Sequence, residues 1–88
     1  MIEREARIVN SLGLHARPAA QIVRMAATFT AHIELEKDDL AVNAKSIMGV
    51  MMLAAESGSM VRIRAEGEDE AQAVAALADL VASGFGET

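Results

Sequence analysis

The chain is 88 residues long, 52% hydrophobic and carries a formal charge of −5. This bounds it to one small domain, residues 1–88, with a modest core, and argues against nucleic-acid binding, which rests on basic surface. It has no Cys, Trp or Tyr and only two Phe, which removes disulfides, thiolate ligands, thiol nucleophiles and base-stacking platforms.

No apolar run reaches the ~18 residues that a membrane span needs. The opening MIEREARIV is charged at once, unlike a signal peptide. A cytoplasmic location without membrane insertion is therefore expected.

In chain order, residues 2–9 alternate as a strand, with Ala6 and Ile8 facing a core and Glu3, Glu5 and Arg7 facing water. Residues 16–28 follow helical spacing, with Ala19, Ile22, Ala26 and Phe29 on one face and Arg17, Gln21, Arg24 and Thr28 on another. Pro18 fits only the first helical turn. Residues 31–37 alternate again, with Ala31, Ile33 and Leu35 inward and His32, Glu34 and Glu36 outward. A turn leads to a short return strand over 40–44, with Leu40, Val42 and Ala44 on one side.

SIMGVMMLA, from Ser46, reads as a short helix with Ser46 at its N-cap. Ile47, Val50 and Ala54 can share its core-facing side, and Met48, Met51 and Met52 cannot all join them. Either a small domain buries most of its Met, or these form an exposed patch of the kind that adapts to several partners. Gly49 lowers helix propensity by about 1 kcal/mol relative to Ala, so close approach of a partner or of the first helix is its expected reason. Residues 60–66 form a last strand with Val61, Ile63 and Ala65 inward. Residues 70–83 form the last helix, with Asp69 and Gln72 in capping-box spacing and an apolar stripe of Ala71, Val74, Leu77, Ala78 and Val81. Ser83-Gly84 ends it, and the tail GFGET reads as a frayed, acidic end.

The order is βαββαβα, an α+β arrangement. One apolar face per strand points to an antiparallel sheet covered on one side. The last strand carries Arg62 and Arg64 outward, while the first two strands carry Glu3, Glu5, Glu34 and Glu36. Opposite charges on neighbouring strands attract, which predicts strand order 1-4-2-3 with three helices on the other face.

His15 immediately precedes the first helix, near its N-cap. Free backbone N–H groups and the partial positive charge of a helix N-terminus attract anions, phosphate above all. Pro18 has no N–H, so Ala16 and Arg17 supply the nearest amides, and the Arg17 guanidinium matches a phosphoryl group. The same positive end disfavours imidazolium and keeps a ring nitrogen available as a nucleophile. Read from residues alone, His15 is either an ordinary loop histidine or a phosphoryl acceptor. No metal or cofactor is expected, because the other histidine, His32, lies among exposed glutamates. Acidic residues gather at 34–39 and 66–70, and Arg17, Arg24 and Lys45 lie outside both clusters as a basic spot suited to an anionic group or an acidic partner.

GLHARPAA at 13–20 resembles the active-site signature of the HPr family, the histidine-containing phosphocarriers of the bacterial phosphotransferase system. KSIMGVMML at 45–53 is similar to that family's regulatory serine segment. The resemblance covers the whole chain and implies an open-faced β-sandwich. It implies that His15 takes a phosphoryl group on Nδ1 from enzyme I, which draws it from phosphoenolpyruvate, and passes it to a histidine of an IIA protein or domain. Arg17 would support the group and Ser46 would be the target of a serine kinase in some bacteria. The chain would then be a carrier and not an enzyme, acting as a monomer. Its docking surface would combine Ala20, Gln21, Arg24 and Lys45 with Ile47, Met48, Gly49, Met51 and Met52. Sugar uptake and a nitrogen-related branch both use such carriers. The alternative is a regulatory module whose phosphorylation controls a transcriptional regulator or another enzyme. A small phosphatase fits poorly, because NSLGLHARPAA makes a poor phosphate loop.

Overall fold

The computed structural model describes residues 1–87. Four strands, β1 (Ile2–Arg7), β2 (His32–Lys37), β3 (Leu40–Asn43) and β4 (Met60–Glu66), form one antiparallel sheet in the order β1-β4-β2-β3. Three helices, α1 (Ala16–Ala27), α2 (Ile47–Met52) and α3 (Glu70–Ala82), cover one face. α3 packs on β1 and β4, and α1 packs beside α2 and α3. A 3-10 turn, Gly84–Gly86, follows α3.

The charge pattern that predicts this order is visible as contacts. Glu3 and Glu34 flank Arg64 in register, and Glu5 and Glu36 flank Arg62. Arg62 reaches Glu36 at 3.0 Å, Glu3 at 3.3 Å and Glu5 at 3.6 Å. Arg64 reaches Glu36 at 2.5 Å and Glu34 and Glu3 at 3.6 Å. These pairs are part-exposed, so each is worth little alone; shared between three strands, they select the register.

On the covered face, Ile33, Leu35, Val61, Ile63 and Ala65 meet Ala19, Ile22 and Ala26 of α1 and Ala73, Val74, Leu77, Ala78 and Val81 of α3 in one core. Five details depart from the sequence reading. β1 stops at Arg7: Ile8 is still buried and bonded to Ser59 and Gly58, but Val9 turns out to solvent as Asn10 turns in. Leu40 is exposed because β3 is an edge strand. Ala71 is exposed, and Ala73 takes its place in the α3 stripe.

The fourth is the expected capping box, which does not form. Asp69 is the N-cap residue of α3, but its carboxylate makes no cap bond and accepts instead from the Thr30 and Ala31 backbone N–H groups, each at 2.8 Å. Those bonds, Thr30's first, hold the Asp69 carboxyl below the usual aspartate range against a smaller opposing cost of burial. The helix start is served by Glu70 instead, whose Oε1 accepts from Gly67 N–H at 3.1 Å.

In α2 only Val50 is buried. Ile47 and Ala54, expected on the core side, are exposed. The helix ends at Met52 and Ala54 adopts a φ of 48°, so the chain turns and buries Leu53 and Ala55 instead. Among the described residues, no helix is long and apolar enough to cross a membrane.

Candidate functional site

His15 is the N-cap residue of α1, with extended backbone (φ −77°, ψ −173°), and its carbonyl oxygen accepts the first helical bond from Ala19 N–H at 3.0 Å. Its side chain does not cap the helix. The ring turns toward the chain end, where Nε2 lies 2.8 Å from Glu87 Oε1, with the His15 side chain about one-third exposed. Among the described residues Nε2 is the ring nitrogen that is hydrogen-bonded, which leaves Nδ1 as the nitrogen open to chemistry.

The preceding loop is held from two sides. Asn10 is buried, and its Nδ2 donates to Gly13 O at 2.8 Å and to Glu87 Oε1 at 2.9 Å. Among the described residues its Oδ1 is buried without a partner. Gly13 has φ +69°, and a β-carbon there would strike the Ala55 carbonyl oxygen. Leu14 N–H donates to that same oxygen at 2.8 Å. The histidine loop therefore rests on the segment that leaves α2, and the loop and α2 are one structural unit.

Arg17 and Ala16 are exposed at the start of α1. The hydrogen bond with His15 lowers the Glu87 carboxyl from its usual range, with smaller help from the Asn10 amide and the His15 and Arg17 charges and some opposition from burial. Helix N-terminus, imidazole, guanidinium and carboxylate thus gather within a few residues' reach, an arrangement able to hold and exchange a phosphoryl group.

Ser46 is the N-cap residue of α2, and its Oγ accepts from Gly49 N–H at 3.1 Å. A β-carbon on Gly49 would crowd the Asn43 carbonyl oxygen at 3.3 Å and Ser46 itself at 3.4 Å. The crowding at Gly49 therefore comes from the turn from β3 into α2 and not from α1. Met48, Met51 and Met52 are 74%, 43% and 66% exposed, and Ile47 is 41% exposed, so the methionine patch faces solvent. Leu12, in the histidine loop, is also exposed.

Of the α1 residues expected to dock partners, Arg24 is exposed and Ala20 half-buried. Gln21 and Arg24 line a shallow hollow of about 350 Å³ with Met25, Thr28 and Leu80. Gln21 is also tied to the tail, its Nε2 donating to Phe85 O at 3.2 Å. Lys45 is tied to the end of α1, its Nζ donating to Phe29 O at 2.8 Å.

Sequence reasoning missed Asn10 and Glu87. The tail is not frayed as far as Glu87; Thr88, the rest of GFGET, lies outside the described residues. Phe85 is buried, and one large apolar side chain between two glycines was the available signal that this segment docks.

The family described as PTS HPr component phosphorylation site matches residues 2–83. This chain belongs to the HPr family. The phosphocarrier protein HPr of Cupriavidus necator is 46% identical over 87 residues, covering 99% of this chain and 98% of its own. A crystal structure of an HPr from Thermoanaerobacter tengcongensis superposes with a TM-score of 0.96 at 51% identity, covering 100% of this chain and 99% of its own. A structure of an HPr dimer from that organism gives 0.79 at 52% identity, covering 99% and 100%. The open-faced sheet with strand order 1-4-2-3 is the fold of these HPr structures. As a family member the chain is a phosphocarrier.

Proposed function

We propose that residues 1–88 act as one phosphocarrier domain in which His15 accepts a phosphoryl group on Nδ1 from enzyme I and passes it to IIA proteins or domains for sugar uptake. The observation that carries this is the state of the ring. His15 stands at the N-terminus of α1 with Nε2 already hydrogen-bonded, so Nδ1 is the nitrogen open to phosphorus. The amides of Ala16 and Arg17 and the Arg17 guanidinium stabilise the transferred charge without rearrangement. The exposed side chains of Ile47, Met48, Met51 and Met52, with Arg24 of α1, form the docking surface, joining an apolar patch to a cation that suits acidic partners.

Ser46 is the regulatory position in this reading. A phosphate on its Oγ would sit at the start of α2 and add about −1.5 to −2 charges next to the methionines, repelling acidic partners. The chain works in the cytoplasm, and the monomer is the carrier.

The test is incubation with enzyme I and phosphoenolpyruvate, followed by intact mass measurement. One acid-labile phosphoryl group is expected on the wild type and none on His15→Ala. A wild type that stays unmodified, or that carries only an acid-stable phosphoserine, would overturn the carrier reading.

A further inference from the structure

The tail brings a carboxylate to the ring by a built path. Gly84, Phe85 and Gly86 all have positive φ, at 71°, 60° and 74°. This left-handed turn buries Phe85, and Gln21 holds its carbonyl. The next residue is thereby delivered to the site, with Glu87 Oε1 2.8 Å from His15 Nε2 and 2.9 Å from Asn10 Nδ2. Both Asn10 amide protons are spent, one on Gly13 O and one on Glu87. A left-handed Phe is costly unless the surroundings over-determine it, and here core burial and a side-chain bond both do.

The geometry points to Glu87 as a positioning residue for phosphoryl transfer: it holds the Nε2–H of His15, keeps the lone pair on Nδ1, and balances the charge the ring gains on phosphorylation, with Asn10 fixing the carboxylate. This rests on the phosphocarrier reading above. In the transfer step the Nδ1 lone pair forms the N–P bond. The bond from phosphorus to the donor atom breaks, and its electron pair leaves on the donor. The Nε2 proton stays on His15, so the ring becomes an N-phosphoryl imidazolium, and the Glu87 carboxylate accepts the hydrogen bond from that proton. When the phosphoryl group moves on, the same proton keeps the ring a good leaving group. A carboxylate on the far nitrogen of a working imidazole plays the same part in serine hydrolases, setting the tautomer and stabilising the cation without taking the proton. Arg17 is the other charge near this carboxylate; it is placed to meet the phosphoryl group and Glu87 to meet the ring.

The experiment compares the full chain with Glu87→Gln and Glu87→Ala. Phosphoryl acceptance from enzyme I is timed, and ¹⁵N NMR of the His15 ring follows the Nε2 proton of the phosphorylated form against pH. E87A is expected to accept the group roughly three- to tenfold more slowly, as suits one part-exposed charged hydrogen bond. Its phosphorylated ring should lose the Nε2 proton at lower pH than the wild type does. E87Q keeps an acceptor oxygen without the charge, so it should recover part of the rate while its ring titrates like that of E87A. Wild-type rate and wild-type ring titration in both variants would overturn the role of Glu87 and leave the carrier reading standing. A wild type that takes no phosphoryl group on His15 would overturn both.

Discussion

A β-carbon on Gly13 would overlap the Ala55 carbonyl oxygen and come within 2.9 Å of Glu56 Cα, at a φ of +69° that L-residues avoid. Both obstacles are backbone, so neither can swing aside. Gly13→Ala should therefore lower the free energy of unfolding by roughly 2 kcal/mol or more, read as an earlier midpoint in urea; an unchanged midpoint would mean the loop is free to shift. Asp69 gives a second test at this scale. Its folded-state pKa is depressed, first by the Thr30 N–H bond, so its contribution is present above the ordinary aspartate pKa and is lost as pH falls through the folded value. Wild-type stability should thus fall more steeply below about pH 4 than that of Asp69→Asn, whose unfolding midpoints across pH 2–6 check the point. Equal slopes would remove Asp69 from the acid response. The capping-box spacing misled here because it compares residues three apart, whereas the partners of Asp69 are 38 and 39 positions away. Glu87 escaped for the same reason, 72 positions from His15. The place of His15 at the start of α1 was legible, because a helix start is a local feature.

Strands and long helices were legible to the extent that their burial is periodic. β2 and β4 have their inward residues where alternation puts them, since both are central strands with one face covered. α2 was legible only at its start. Its Ser46 cap is local, but six residues make under two turns, and the core side is decided by where the chain leaves rather than by helical spacing. That exit is made at Ala54, left-handed at φ 48° just past the C-cap Leu53, a position glycine usually fills. Ala54→Gly should relieve the strain of a β-carbon there, partly offset by greater freedom of the unfolded chain, and stabilise the protein by about 0.5–1 kcal/mol. Thermal unfolding would show this as a higher Tm. A lower Tm would mean that the turn at Ala54 is not strained.

Over the whole molecule, charge is divided between two faces. The open face of the sheet spends Arg62 and Arg64 on Glu3, Glu5, Glu34 and Glu36, and Lys45 is held by a backbone carbonyl. Among the described residues, neither Arg17 nor Arg24 forms an ion pair with a carboxylate, and both project from α1 on the helical side. A protein of net charge −5 therefore still presents a cationic spot on the side that carries His15. Such a spot acts mainly on the rate of encounter, and salt screens it. Arg24→Glu should slow phosphoryl acceptance from enzyme I roughly threefold to tenfold at low ionic strength, and the deficit should shrink as salt rises toward 0.5 M. Arg24 also lies in the last turn of α1, where a cation favours the helix dipole, so the reversal carries a small stability cost of its own. Arg24→Gln separates the two effects: the rate should fall in the order wild type, Gln, Glu if steering is responsible. Rates measured for all three at about 20 and 500 mM salt decide it, and identical rates at the lower salt would remove Arg24 from the docking surface.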